Sequence, residues 1–198
     1  MMADLRKIKT ETLIQNALIE LLKEKSIHCI TITDICTKAP INRSTFYSHY
    51  EDINSFLEKT MKEAAMGLTK AVSDSFENPN KLIKKGEAYE CYYNWFCHIR
   101  DHGELFSLLL GPNGSLEFDA LILEQGIDWY TTMLRPIAYK FEDIIPLDVL
   151  TNYIIGAHYG LLKFYIKSNF KYSAEFMTEK MVNLTFTGII PMLGILNE

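Results

Sequence analysis

The chain has 198 residues, of which 48% are hydrophobic and 23% charged, and its formal net charge is −5 at pH 7. This balance is ordinary for a globular protein and excludes the fibrous and intrinsically disordered classes. No apolar run reaches the roughly 18 residues of a membrane-spanning helix, and the charged first residues lack a signal-peptide pattern, so we expect a cytoplasmic protein without membrane contact.

The first predicted element is an amphipathic helix over about Lys7–Lys25. Its apolar residues recur at i, i+3, i+4, i+7 and i+8, a spacing that places side chains on one helix face. The stripe consists of Ile14, Ala17, Leu18, Leu21 and Leu22. We expect it to pack against the elements that follow.

Two short helices are predicted next. Thr31 and Asp34 have the spacing of a capping box, in which a hydroxyl and a carboxylate each bond an amide left free at the helix start. Pro40 ends this helix, and Asn42 is a suitable N-cap for the next one. Because the connection is so short, the two helices must cross steeply, as in a helix-turn-helix over about residues 31–50. Phe46 and Tyr50 are expected in the core.

Longer helices make up the rest of the prediction. A fourth helix begins after Asp52 and runs to about Asp74, and Glu77–Asn80 is the clearest break in the chain. The later helices are predicted over Lys81–Asp101, Glu104–Leu110, Leu116–Leu134, Leu147–Ser168 and Ala174–Leu193. Strand-like alternation is rare. We therefore predict an all-α fold of about nine helices, with a three-helix domain at residues 1–60 and a larger helical bundle at 61–198.

The stretch Ile30–Leu57 reads ITITDICTKAPINRSTFYSHYEDINSFL and resembles the DNA-binding signature of the TetR family of transcriptional regulators. The resemblance covers about Ile8–Leu57; beyond it, only helix number and length agree. It is carried by Thr31, Asp34, Ile35, Ala39, Arg43, Thr45, Tyr47, His49 and Tyr50. The resemblance implies that the second helix of the motif enters the major groove of double-stranded DNA with its N-terminal residues at the base edges.

The resemblance also implies which residues touch DNA. Arg43 is the best base reader, because its planar guanidinium can grip O6 and N7 of guanine, although contact with phosphate alone is an alternative. Tyr47 and His49 are implied to contact the DNA backbone, which sets register without reading sequence. Asn42 is either a cap or a contact. The full predicted set is Thr31, Thr33, Asn42, Arg43, Ser44, Thr45, Tyr47 and His49.

Three residues depart from the family pattern. Pro40 stands where the family usually has glycine in the turn, and since a proline ring favours φ near −65°, we expect a differently built turn. Ile53 replaces a lysine that commonly contacts phosphate, which predicts a shallower salt dependence of binding. Ser26 replaces a common glycine. Residues 1–60 also carry eight Lys and Arg against eight Asp and Glu, so this segment lacks the net positive charge usual in DNA binders.

The last two helices are predicted to form a homodimer interface, as the resemblance implies. Met177, Met181, Leu184 and Gly188 follow a 4-3-4 spacing, and Gly156 and Gly160 leave a flat face for close helix approach. Packing within one chain is the alternative, because this glycine spacing has little meaning outside membranes. The predicted interface is Gly156, Gly160, Leu161, Phe164, Met177, Met181, Leu184 and Gly188.

Aromatic residues on the middle helices suggest a cavity for a small apolar inducer, since this region encloses one in the TetR family. The predicted lining is Tyr92, Trp95, Phe96 and Trp129; packing in the core is the alternative for each. His98 and His102 have the i, i+4 spacing that can bind a metal, but no third ligand is evident, and helix capping is the favoured interpretation. We therefore expect no metal and no cofactor.

These patterns predict a ligand-responsive transcriptional repressor that binds a palindromic operator as a homodimer. A transcriptional activator, or a helical adaptor that keeps the domain without reading an operator, is the alternative; the neutral N-terminal segment, Pro40 and Ile53 favour the adaptor. An enzyme is not expected, because the sequence shows no nucleophile–base arrangement and no phosphate-binding glycine loop.

Overall fold

The computed structural model describes residues 2–74, 85–140 and 142–188. Within these ranges the regular structure is helical and contains no strand, which confirms the all-α prediction. The helices are α1 (Met2–Glu24), α2 (Ile32–Lys38), α3 (Arg43–Tyr47), α4 (Ile53–Ser73), α5 (Lys85–Asp101), α6 (Gly103–Leu109), α7 (Leu116–Leu134), α8 (Leu147–Lys167) and α9 (Ala174–Thr187). Short 3-10 helices occupy Ile27–Cys29 and Arg135–Lys140. The predicted break at Glu77–Asn80 and the predicted helix end at Leu193 lie outside the described residues; within them, α9 ends at Thr187 with Gly188 as its C-cap.

The chain divides into two compact units. The first contains residues up to Ala65 together with Glu104–Leu121, and the second contains Met66–Gly103 together with residues from Ile122 onward. This grouping differs from the sequence-based division at residue 60, because a segment distant in the sequence packs with the N-terminal helices. The functional division into residues 1–60 and 61–198 stays a prediction.

The core of the first unit is built on the apolar stripe of α1. Ile14, Ala17, Leu18, Leu21 and Leu22 are all buried, as the helical spacing predicts. Ile35 and Ala39 of α2 are buried as well. Phe46, Tyr50 and Phe56 complete the core, with the Tyr50 and Phe56 ring centroids 4.7 Å apart. The prediction that Phe46 and Tyr50 are core residues is therefore confirmed.

Asn113 joins the segment Glu104–Leu121 to α1. Its carbonyl oxygen accepts a hydrogen bond from the Ile27 amide at 2.8 Å, and its side-chain amide donates to the Leu22 carbonyl at 3.0 Å. Lys23 forms an ion pair with Glu104 at 2.6 Å. These contacts provide partners for backbone groups at the end of α1 that a helix alone leaves unpaired.

The ends of the short helices follow the predicted capping patterns. The Thr31 amide donates to the Asp34 carboxylate at 2.8 Å, and the Asp34 amide donates to the Thr31 hydroxyl at 3.2 Å, so the capping box is confirmed. Asp52 caps α4 by accepting from the Ser55 amide at 2.7 Å. Asn42 occupies the N-cap position of α3, but its side chain does not bond the α3 amides.

The turn after α2 has the geometry of a glycine-type helix end. The Ile41 amide donates to the Cys36 carbonyl at 3.1 Å, a bond that requires the residue between the helix end and Ile41 to adopt a positive φ. That residue is Pro40, with φ of 21°. The prediction of a differently built turn is therefore wrong: the turn keeps the glycine geometry and places strain on the proline ring.

The second unit contains α5, α8, α9 and most of α7, and α5 packs extensively on α9. Phe96, Ile99, Leu162 and Tyr165 are fully buried in it. Gly126 of α7 lies directly against Ile155 of α8, so close that a Cβ added at Gly126 would overlap the isoleucine side chain. Among the described residues, no helix combines the length and apolar character that crossing a bilayer requires.

Candidate functional surfaces

Helix α3 turns one face inward and the opposite face outward. Phe46 is fully buried, whereas Arg43, Ser44 and Tyr47 are exposed. Tyr47 has 54% of its surface accessible, an unusual amount for a tyrosine beside a packed aromatic core. The helix has five residues, and Phe46 is the buried one. Its polar side chains lie on the side opposite Phe46.

Most of the predicted DNA-contacting residues are exposed, with His49 as the exception. The residues Thr31, Thr33, Asn42, Arg43, Ser44 and Tyr47 are exposed, and Thr45 is half-buried. The exception is His49, whose side chain is only 7% exposed. Its Nδ1 is buried 3.7 Å from the Glu11 carboxylate without a hydrogen-bond partner among the described residues, so a phosphate contact would have to come from Nε2.

Arg43 lies across the α2–α3 turn and contacts Thr33. Its Nη2 donates a hydrogen bond to the Thr33 hydroxyl at 2.5 Å, and both side chains are exposed. The guanidinium is therefore accessible from outside the protein. Sequence reasoning did not predict this bond, because it joins residues of two helices whose crossing geometry a sequence pattern does not specify.

An ion pair reinforces the start of α2. Lys25 Nζ lies 2.7 Å from the Asp34 carboxylate, which also accepts from Thr31. The Lys25 bond, followed by the two Thr31 bonds, lowers the pKa of Asp34 to about 2. Asp34 therefore stays ionised across the physiological range and stabilises the first turn of a helix whose N-terminus favours negative charge.

Acidic side chains neutralise most of the lysines near the helix-turn-helix. The observed pairs are Lys23 with Glu20 and Glu104, Lys25 with Asp34, Lys38 with Glu24, and Lys59 with Glu11 and Glu63. Arg6, Lys7 and Lys9 of α1 are exposed. In the described part of the chain near the helix-turn-helix, Arg43 and this N-terminal cluster are thus positive groups available to phosphate.

The exposed side of α8 forms an apolar stripe. Val149, Tyr153 and Phe164 are exposed, with 68% of Tyr153 accessible, and two glycines lie between them in the stripe. A Cβ added at Gly156 or Gly160 would meet nothing within 4 Å among the described residues. The spacing 149, 153, 156, 160, 164 places these residues along one helix face.

Two residues of the predicted dimer interface are buried within the protomer. Met177 and Met181 of α9 are 3% and 1% exposed, because this side of α9 packs in the core that it forms with α5. Gly156, Gly160 and Phe164 are exposed, while Leu161, Leu184 and Gly188 are half-buried. Tyr153 and Phe176, which the sequence interpretation did not name, are exposed apolar residues of α8 and α9. The sequence alone does not reveal their exposure, because it does not show which side of each helix is buried.

The exposed aromatic surface continues from α8 onto α9. The ring of Tyr172 stacks on Phe164, with centroids 6.2 Å apart, and on Phe176, with centroids 4.7 Å apart. Lys171 lies over the Tyr172 ring, and Lys180 lies over the Phe176 ring. This arrangement makes one continuous aromatic surface from two helices.

Three of the four predicted cavity residues lie in the core. Tyr92, Trp95 and Phe96 are buried, and the Trp95 and Phe96 rings meet edge to face at 5.1 Å. The fourth, Trp129, is half-buried and lines a groove of about 550 Å³. The groove is lined also by Met66, Thr69, Lys70, Ser73, Gln125, Asp128 and Thr132.

A chain of polar side chains crosses the interior of the second unit. Tyr130 is 2.6 Å from His158 Nδ1 and 3.5 Å from the Tyr92 hydroxyl, and His158 Nε2 is 3.5 Å from Thr185. Burial lowers the pKa of His158 to about 3, so its imidazole is neutral. His158 is therefore a buried interior residue whose two ring nitrogens both have polar neighbours.

The predicted histidine pair has a packing role. The His98 ring lies so close to Gly67 that an added Cβ there would be 2.6 Å from Nε2, and the His98 and His102 rings are 4.5 Å apart. No group of three or more His, Cys, Asp or Glu able to hold a metal occurs among the described residues. The four cysteines are free thiols.

Comparison with known proteins identifies the fold. No protein-family model matches the chain. It is 24% identical over 174 residues to YxbF of Bacillus subtilis strain 168, named as an HTH-type transcriptional regulator. The match spans 88% of this chain but 44% of that relative, so the chain spans less than half of the relative's length.

Solved structures agree over most of the chain. The fatty acid degradation regulator FadR from Bacillus halodurans matches with a TM-score of 0.68 and 13% identity, over 91% of this chain and 96% of that one. FadR from Bacillus subtilis, solved with stearoyl-CoA, matches at 0.67 and 16%, over 90% and 98%. A TetR regulator from Streptococcus agalactiae matches at 0.63 and 22%, over 93% and 97%.

Proposed function

We propose that this chain, which has the fold of the TetR-type regulators, is a DNA-binding transcriptional regulator. The observation that carries the proposal is the outward presentation of α3: its apolar side is held by Phe46, while Arg43, Ser44 and Tyr47 face outward. A short helix presented in this way fits the major groove, with arginine as a base reader and tyrosine as a backbone contact.

The proposed regulator is a homodimer, because one helix-turn-helix covers only half of a two-fold symmetric site. The α8 stripe around Gly156 and Gly160, extended by Phe164, Tyr172 and Phe176, supplies an exposed apolar surface for the second copy. Such a surface is self-complementary in a two-fold dimer, where the same patch of both subunits meets. Met177 and Met181 are excluded from this interface because they are buried in the protomer.

A small apolar molecule is the proposed effector. The interior of the second unit is aromatic, with a short polar chain at Tyr92, Tyr130 and His158, which suits an apolar ligand oriented by a few hydrogen bonds. The FadR structure with stearoyl-CoA supports, by analogy of fold alone, a ligand that contains a long apolar chain. Such an effector must bind the DNA-free state more tightly than the DNA-bound state in order to release the operator.

A fluorescence anisotropy titration tests the function. The probe is a labelled duplex from the intergenic region beside the protein's own gene, with a shuffled duplex of the same composition as competitor. We expect the protein to bind the labelled duplex in a salt-sensitive manner, and we expect the shuffled duplex to be a poor competitor for this binding. Arg43→Ala abolishes this preference, whereas Arg135→Ala, which removes the same charge from the second unit, retains it. Equal competition by both duplexes, with Arg43→Ala behaving as wild type, refutes the proposal.

An adaptor protein is the second candidate, favoured by the acidic partners of Lys23, Lys25, Lys38 and Lys59. Lysines held in ion pairs contribute less to phosphate binding. Recovery of one stoichiometric protein partner from a lysate, combined with anisotropy that shows no sequence preference, favours the adaptor. Sequence-selective DNA binding excludes it.

A further inference from the structure

Arg43 and Thr33 form a hydrogen bond between two exposed side chains of different helices. Arg43 Nη2 donates to Thr33 Oγ1 at 2.5 Å. An exposed arginine ordinarily samples many rotamers, and ordering it on binding costs conformational entropy. A bond formed within the protein removes part of this cost from the binding step.

Thr33 is a rigid anchor for this bond. It lies in the first turn of α2, which the Thr31–Asp34 capping box fixes. A β-branched side chain on a helix has few rotamers. The position of the acceptor oxygen is therefore set by α2 and not by the arginine.

A second neighbour supports the same position of the guanidinium. Cys36 follows Thr33 by three residues and lies on the same side of α2. Burial raises the pKa of the Cys36 thiol, and the positive charge of Arg43 acts in the opposite direction. The charge of Arg43 thus acts on Cys36, which agrees with the guanidinium position that the bond to Thr33 gives.

The bond leaves the arginine able to read a base. A guanidinium has five N–H donors, and bidentate contact with guanine O6 and N7 uses two of them. The bond to Thr33 occupies one donor and restricts rotation of the group, so the free donors face a defined direction. An Arg43 side chain released from Thr33 would reach phosphate as readily as a base edge.

We propose that Thr33 is a specificity-determining positioning residue, whose hydroxyl orients the Arg43 guanidinium for bidentate contact with a guanine in each half-site. This inference rests on the proposed function. It gives Thr33 a role different from the direct DNA contact that the family resemblance implied, because the hydroxyl acts through Arg43.

Selection from a pool of random 20-bp duplexes, followed by sequencing, tests the inference without a known operator. The proteins compared are wild type, Thr33→Val, Thr33→Ser, Arg43→Ala and the matched control Thr37→Val, which removes a hydroxyl bonded only to a backbone carbonyl of its own helix. We expect wild type, Thr33→Ser and Thr37→Val to enrich a guanine at one position per half-site. In Thr33→Val that preference falls about tenfold or more, at the position that Arg43→Ala also loses.

The outcomes separate the two proposals. If wild type enriches no motif, the proposed function and this inference both fail. If wild type enriches a motif and Thr33→Val keeps its guanine preference, only the inference fails. It fails also if Thr33→Val, with an unchanged melting temperature, loses the whole motif, since Thr33 would then act as a direct contact.

A measurement on the wild-type protein removes any dependence on the folding of the variants. NMR of the arginine side chains, assigned with Arg43→Ala, reports rotation about the Nε–Cζ bond. We expect Arg43 to rotate several-fold more slowly than Arg135, which is exposed in the second unit. Equal rotation of the two guanidinium groups overturns the inference.

Discussion

The hydroxyl of Tyr130 on α7 lies 2.6 Å from Nδ1 of His158 on α8, in the interior of the second unit. Burial keeps this imidazole neutral, so one of its ring nitrogens donates a hydrogen bond and the other accepts one. A buried base of this kind makes stability depend on pH, because the unfolded chain can take up a proton that the folded chain excludes.

The first prediction concerns this pH dependence. Burial lowers the pKa of His158 from 6.5 to about 3, so its contribution to stability is complete above pH 6.5 and decreases as the pH falls toward 3. At pH 5 the loss is about 2 kcal/mol, at about 1.4 kcal/mol per pH unit. Urea unfolding at pH 7.5 and pH 5 should show this loss in wild type and a clearly smaller one in His158→Gln. His28→Gln, which changes an exposed ring, should lose as much stability between pH 7.5 and pH 5 as wild type does. An equal loss of unfolding free energy in His158→Gln and wild type would contradict the prediction.

The second prediction concerns the turn at Pro40. Pro40→Gly should stabilise the protein by about 1–3 kcal/mol, because glycine accepts the positive φ and supplies an amide for the helix-end carbonyls. Pro146→Gly is the matched control: Pro146 has φ of −58°, which suits its ring, so this change should destabilise by about 0.5–1 kcal/mol. Thermal unfolding of both variants measures the difference, and a lower melting temperature for Pro40→Gly would show that the turn suits proline.

The third prediction concerns self-association through α8. Gly160→Arg should give a monomer. The variant should still fold, since a side chain added at this position meets open space within the protomer. Gly86→Arg on α5 is the control, because a Cβ at Gly86 also meets nothing within 4 Å among the described residues. Sedimentation velocity should show a dimer for wild type and Gly86→Arg. A dimer of Gly160→Arg would place the interface elsewhere.

The fourth prediction concerns the salt dependence of DNA binding. Ile53 begins α4 beside the helix-turn-helix, and Ile53→Lys should add one phosphate contact per protomer. The slope of log affinity against log salt should then steepen by about 0.9 for each added contact. Tyr139→Lys, which adds the same charge at an exposed position of the second unit, should leave the slope unchanged. An unchanged slope for Ile53→Lys would show that α4 begins away from the phosphates.

Local features of the fold were predictable because they depend on residues close in the sequence. The α1 stripe, the Thr31–Asp34 box and the cap at Asp52 each follow from spacings of eight residues or fewer. The outward direction of Arg43 followed from the family resemblance together with the apolar spacing of Phe46 and Tyr50.

Long-range features were not predictable from one sequence. The periodicity of α9 shows that Met177 and Met181 share a face, but not whether α5 or a second subunit covers it. Likewise, no local pattern connects Asn113 with Leu22 and Ile27. At Pro40 the tertiary arrangement overrode a strong local preference, because the helix end and the packing of α3 together require the glycine geometry.

The attachment of Asn113 to the end of α1 limits how the protein can be engineered. A chimeric regulator made by grafting residues 1–60 onto a foreign sensor would lose the partners of the Ile27 amide and the Leu22 carbonyl, and Lys23 would lose Glu104. Residues 1–60 alone are therefore not a unit that can be transferred to another protein. A working graft must carry the 104–121 segment with it, even though that piece is encoded more than forty residues downstream.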